Sequence, residues 1–280
     1  MARTLGFAFV FSVVLGLVGC GSSEEVTSLT AEQRFEHAKA LFDDEDYVEA
    51  ISEFTVVTLQ FPGSAFADDA QFYLGECRFC RGEYLLAAFE YQTLRRNMPA
   101  SPLVPEAQYK LGLSYYQLSP KSPLDQQYTK KAIEELQAFV EYYPANEHVP
   151  DAESKIKELN TRLAKKQFET AQLYATMEYY KASLFCYDDV IERYHDTEYA
   201  PLALLGKAEV FMSRRKYKDA YAEITRFLER YPNSILRSRA DKLKAAIEEQ
   251  MLNEPERSQS VSGKDSGAGE GSLSSTRPPL

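Results

Sequence analysis

Tryptophan is absent from the 280 residues, and histidine occurs only three times, at His37, His148 and His195. No serine, cysteine or carboxylate recurs beside those histidines at the spacing a catalytic triad needs, so each reads as structural. No glycine-rich phosphate loop is present. Cysteine is scarce too. Cys77 and Cys80 form a single C-x-x-C without the second pair that a zinc site requires, and together with Cys186 they read as small packing residues of helices. Positive charge is in deficit, with 32 Lys and Arg against 42 Asp and Glu, a net charge of −10. A nucleic-acid partner would want a basic face, so none is expected. The only long apolar run, Leu5 to Val18, is shorter than the roughly 20 residues that span a bilayer. No catalytic residue, metal ligand or cofactor is expected, and the chain does not read as an enzyme.

What fills the chain instead is one pattern, repeated. Asp68 to Pro99 carries Leu74-Gly75, then Ala87, Tyr91 and Pro99. A small first-helix residue recurs at Ala38, Gly75, Gly112, Ala171 and Ala208, and a small second-helix residue at Ala50, Ala87, Ala132, Ser183 and Ala220. Four residues later comes Phe54, Tyr91, Leu136, Tyr187 or Ile224. Each copy closes on Phe61-Pro62, Met98-Pro99, Tyr143-Pro144, Tyr194-His195 or Tyr231-Pro232. This spacing resembles the tetratricopeptide unit of two antiparallel helices. Proline stops the second helix, and Ser64, Ser101, Thr197 and Ser234 are placed to accept N–H groups of the next one. Tyr47, Tyr84, Tyr180 and Tyr217 close the turns between paired helices. His195, where the other copies have proline, is expected to loosen its stop.

The expected fold is therefore all-α, an α-solenoid of five tetratricopeptide hairpins with a C-terminal capping helix. Residues 30–104 hold repeats 1 and 2, and residues 105–145 hold repeat 3. Repeats 4 and 5 with the cap fall in 146–252. Ser28 or Thr30 caps the first helix. The two Ser-Pro pairs in Leu118–Thr129 predict a surface loop stretching the turn of repeat 3, read as tolerated decoration. The unbroken run after Pro150 predicts one long helix over Asp151–Tyr174. Residues 253–280, rich in Gly, Ser and Pro, are expected to be a disordered tail.

Residues 1–19 read as a secretory leader, with Arg3 followed by the apolar run and Gly19. Leu17-Val18-Gly19-Cys20 resembles the lipobox of bacterial lipoproteins. That resemblance implies acylation of Cys20, with residues 20–29 as a flexible tether, and Gly21 after the cysteine implies sorting to the outer membrane.

Candidate contacts come from the repeat frame. In tetratricopeptide repeats the fifth and twelfth first-helix positions face a groove. Here they are Phe35 and Phe42, Phe72 and Phe79, and Tyr109 and Tyr116, each pair two helical turns apart on one face. Repeats 4 and 5 carry Phe168 and Ala175, then Leu205 and Met212, so the stripe fades. The alternative is that the rings only pack between first helices. As a peptide groove, the stripe would take extended aromatic-bearing segments, with Lys39 contacting a carboxylate. Arg214, Arg215 and Lys216, in the tight turn of repeat 5, form a basic corner that either docks an acidic partner domain or is simply a solvated turn.

The lipobox, five repeats, long helix opening the fourth and aromatic–proline stops such as Arg230-Tyr231-Pro232-Asn233-Ser234 together resemble the BamD family. These are tetratricopeptide lipoproteins of the bacterial outer-membrane β-barrel assembly (BAM) complex. The resemblance spans about Leu17 to Met251. It implies a scaffold on the periplasmic face of the outer membrane. Its N-terminal repeats would bind unfolded outer-membrane protein precursors. Its C-terminal repeats would bind the periplasmic domains of a BamA-like barrel insertase, with other assembly lipoproteins as further partners. The same fold and anchor also suit a general periplasmic scaffold for peptidoglycan enzymes, or a helper of secretion or pilus assembly.

Overall fold

The computed structural model describes residues 29–262, with side chains through 253. The leader, Cys20, most of the tether and the tail from 263 lie outside the described residues. The chain divides into two compact units, Met1–Leu103 and Val104–Leu280. Every regular element among the described residues is a helix, as a tetratricopeptide solenoid requires.

Unit 1 holds α1 (Ala31–Asp43), α2 (Tyr47–Gln60), α3 (Ala67–Cys80) and α4 (Tyr84–Asn97), which are repeats 1 and 2. Thr30 starts α1 by a reciprocal capping box. Its hydroxyl accepts from the Gln33 amide at 3.2 Å while its own amide donates to the Gln33 side chain at 3.1 Å. Unit 2 holds α5 (Val104–Leu118), α6 (Gln127–Tyr142), α7 (Val149–Thr176), α8 (Tyr180–Arg193), α9 (Tyr199–Ser213), α10 (Tyr217–Arg230) and α11 (Arg237–Ser262). The long helix is present as α7, 28 residues against 13 to 16 in the paired helices around it. The capping helix α11 runs on to Ser262, past the expected Asn253 boundary.

Within each hairpin the small residues do what the spacing demands. A Cβ on Gly75 would overlap the buried Tyr91 ring, and one on Gly112 would lie 2.6 Å from Leu136 Cδ2. The tight turns share one form. Asp46, Glu83, Tyr179 and Lys216 amides each donate back five residues, at 2.8–2.9 Å. The residue before each has positive φ: Glu45, Gly82, Glu178 and Arg215, at 58–73°. This is the Schellman stop, and its left-handed residue falls at one repeat position in four copies. Repeat 3 replaces it with residues 119–126.

The links between repeats also share a form. Ser64, Ser101, Asn146, Thr197 and Ser234 amides donate to the carbonyl three residues earlier, at 3.0–3.1 Å. His195 does not loosen its link, because Tyr194 adopts φ −123° and ψ 37°, close to the caps that precede proline. The hydroxyls divide. Ser101 and Ser234 accept from amides two residues on, at 3.2 Å. Thr197 instead donates back to the Tyr194 carbonyl at 2.7 Å, and Ser64 has no protein partner.

A second set of ties is internal to the repeats. Arg34 pairs with Glu53 at 2.5 Å. Gln71 donates to the Glu90 carbonyl and carboxylate at 3.1 and 2.8 Å, and Gln108 to those of Glu135 at 2.9 Å each. The buried Lys207 of α9 goes further, pairing with Glu223 inside its own hairpin at 2.7 Å and across to Asp188 on α8 of repeat 4 at 2.6 Å. Around these ties Phe54, Tyr91, Phe139 and Phe227 are fully buried, each worth about 1.5–3 kcal/mol of hydrophobic stabilisation.

Candidate functional site

The six candidate rings do not share one environment. In unit 1, Phe35 is only 9% exposed. It packs against Phe54, Phe66 and Tyr73 with centroids 5.4–6.1 Å apart, so it is a core ring between helices. Phe42, Phe72 and Phe79 remain half-buried, each braced edge-on or tilted by a tyrosine, at 5.2 Å (Tyr73), 5.7 Å (Tyr91) and 5.1 Å (Tyr84). Lys39 lies 5.4 Å over the Phe42 ring and 5.2 Å over Tyr73. It already has a carboxylate partner in Asp43, whose hydrogen bond raises the lysine's pKa. In unit 2, Tyr109 is 7% exposed and stacks flat on His148 at 4.4 Å. Its hydroxyl donates to Asp151 at 2.5 Å. Burial first, then that carboxylate, pushes its pKa up. Tyr116 is half-buried and donates to Glu158 at 2.6 Å, which raises its pKa. Phe35 and Tyr109 are thus packing residues, and four of the six rings keep an accessible face.

Arg214, Arg215 and Lys216 are all exposed. Arg214 lies 5.2 Å over the Tyr180 ring, and Arg215 takes the left-handed position. Cys77 is buried and Cys80 exposed, and both are unpaired, as is the buried Cys186. The packing reading therefore holds for two of the three, and Cys80 departs from it. Among the described residues no group of His, Cys, Asp or Glu is arranged to hold a metal.

One feature was not anticipated. In repeats 2 and 5 the leading face of the first helix is buried, at Ala70, Leu74 and Cys77 and at Ala203, Lys207 and Val210. The matching positions of repeat 4 are Lys166 and Thr170, half-exposed, and Leu173, 57% exposed. Repeat 4 thus shows the open face of a first repeat, because the extra turns of α7 separate α8 from α6. Three adjoining hollows of about 770, 570 and 420 Å³ fill that gap. The first two share Lys130, Glu134, Leu163 and Arg193, and the last two share Gln137 and Asn160. The floor is α7 and the walls are α6 and α8. Phe185, 71% exposed, stands at one end. That end carries mixed charge, Lys130, Lys131, Lys166 and Arg193 beside Asp125, Glu134 and Asp189, while Glu141, Glu153 and Asp196 outnumber Lys157 at the other. The signal was in the sequence: Lys166 and Thr170 are polar where repeats 2 and 3 have alanine and leucine.

Comparison with known proteins agrees with this architecture. A family model described as outer membrane lipoprotein (YfiO) matches residues 27–216, and a tetratricopeptide repeat model matches residues 202–234. The chain is 24% identical to the outer membrane protein assembly factor BamD of Rickettsia prowazekii, over 84% of this chain and 93% of that one. It is likewise 24% identical to BamD of Caulobacter vibrioides, over 72% of this chain and 68% of that one. Among solved structures, the TPR2AB domain of yeast Sti1 in its pHSP90 complex overlays with a TM-score of 0.40 at 17% identity, covering 78% of this chain and 82% of that one. With two thirds of its length matched, from the tether into the turn of repeat 5, the chain belongs to the YfiO family of outer membrane lipoproteins.

Proposed function

We propose that this chain is a non-catalytic scaffold in the assembly of outer-membrane β-barrel proteins, held at the periplasmic face of the outer membrane by acyl chains on Cys20. The observation that carries the reading is the family match across residues 27–216, joined by relatives named outer membrane protein assembly factor BamD. The two units take different partners. Unit 1 meets the aromatic-bearing end segments of unfolded precursors with Phe42, Phe72 and Phe79. Sequence-tolerant apolar contact suits clients that must leave again, and Lys39 exchanges Asp43 for a client carboxylate. Unit 2 takes a folded periplasmic domain of the barrel insertase in the groove between α6 and α8. Phe185 supplies an apolar anchor, and the excess of carboxylates at the far end, against mixed charge beside Phe185, sets orientation. The corner at Arg214, Arg215 and Lys216 adds a contact for an acidic rim.

Purified full-length protein with Phe185→Glu should lose insertase-domain binding at least about tenfold while keeping precursor peptide binding. Phe42→Ala with Phe72→Ala should do the reverse. Co-purification from solubilised envelopes that yields peptidoglycan enzymes and no insertase would overturn the assembly role.

A further inference from the structure

The sequence of Leu118–Thr129 reads as decoration on a turn, but the bonding of residues 119–126 within it describes a built element. Five of the eight backbone carbonyls accept from side chains. Arg162 Nη1 donates to the Ser119 and Pro120 carbonyls at 3.0 and 3.3 Å, and to the Ser119 hydroxyl at 2.6 Å. Lys166 Nζ donates to the Leu124 carbonyl at 2.5 Å. From inside, Gln126 Nε2 is shared among the carbonyls of Lys121, Ser122 and Leu124, at 2.9–3.4 Å. Thr129, fully buried, donates to Gln126 Oε1 at 2.7 Å and meets Ser119 Oγ at 2.6 Å. Pro120 and Pro123 narrow the backbone further. Arg162 and Lys166 are four apart on one face of α7. Glu158, a turn earlier, holds the other Arg162 nitrogen at 2.8 Å.

This segment also borders the groove, since its Asp125 and Gln126 line the 770 Å³ hollow. We infer that residues 119–126 form a preformed lip of the unit 2 groove and that Arg162 is the positioning residue that locks it for docking. The inference rests on the reading of that groove as the insertase site. A lip already fixed in the free protein spares the complex the ordering of eight residues, so its rigidity appears directly as affinity. Arg162 lines none of the three hollows. Its removal therefore tests the lock without removing a contact to the partner.

The test uses the full-length protein and, as probe, the purified periplasmic domains of the barrel insertase from the same bacterium. With Arg162→Ala, hydrogen exchange across 119–126 should quicken at least about tenfold while the helices stay protected. Insertase-domain affinity should fall about five- to tenfold with precursor-peptide affinity unchanged. Arg162→Lys, which keeps one donor, should recover part of both. Fast exchange with undiminished docking would overturn the lip, and so would exchange that stays slow in Arg162→Ala. Should Phe185→Glu leave docking intact, the groove reading itself falls and the lip falls with it. Failure of Arg162→Ala alone leaves the groove standing.

Discussion

Gly112 and Gly75 hold their hairpins by what they leave out. A methyl group at Gly112 would come within 2.6–2.7 Å of Leu136, which is fully buried and has nowhere to go. Gly112→Ala is expected to lower stability by about 1–3 kcal/mol, the usual penalty of overpacking, seen as an earlier denaturation midpoint at unchanged slope. The cysteines offer a second residue-scale check. Burial pushes the Cys77 thiol up to about 12, so at pH 8 it should resist iodoacetamide while exposed Cys80 is alkylated readily. Equal labelling of both in the native protein would contradict the packing of α3. Gly75, Ala87 and Tyr91 were legible because the same chemistry returns in five copies, most of them 37 residues apart. Phe35 and Tyr109 were misplaced because burial depends on neighbours in space. Nothing in Tyr109 itself says that Asp151, 42 residues on, will bind its hydroxyl.

The helices were the easiest elements to foresee, since small residues, aromatic closers and prolines mark each end. The ties inside the hairpins were not seen, though their pattern is regular: Arg34, Gln71 and Gln108 each reach a glutamate on the paired helix. Unlike apolar periodicity, a polar position announces its burial only through its partner. Lys207 is the strongest tie. Burial lowers its pKa, but hydrogen bonds to Asp188 and Glu223 outweigh that and leave it raised. A raised lysine adds stability that is complete below its unfolded value and is lost only as pH climbs through the folded one. The contribution should be flat across neutral pH and fade above about 10.5. Lys207→Ala, which leaves the half-buried Glu223 with only a long 3.7 Å pairing to Arg226, should cost about 3 kcal/mol at pH 7, and the deficit relative to wild type should shrink in alkali. A deficit that grows with pH would refute the triad. The 119–126 segment was misjudged for a related reason. Two Ser-Pro pairs signal a break in helix, yet they do not disclose that α7 supplies the donors to pin it.

For the molecule as a whole, the leader and Cys20 lie outside the described residues, so the anchor is tested by fractionation. Cys20→Ala should move the protein from the outer-membrane pellet to the soluble periplasmic fraction, because acyl chains at about 0.8 kcal/mol per buried methylene are its proposed hold. Continued sedimentation with the outer membrane would overturn the anchor. The family and the repeat count could be read from the sequence because both are repeated or contiguous signals. The groove was missed although Lys166 and Thr170 marked its face, because it arises from about four extra helical turns that keep two helices apart. An insertion in the sequence became a cavity in space.

That insertion has a mechanical consequence. At 1.5 Å per residue, the 28 residues of α7 make a rod about 42 Å long. One half is seated on α6, with Tyr109 and Tyr116 of α5 bonded to it, and the other on α8 and α9. With no proline or glycine after Pro150 to act as a hinge, a push on either seat is delivered to the other as if through a lever. A guest that spans the gap would therefore brace that lever at its midpoint, stiffening both seats at once.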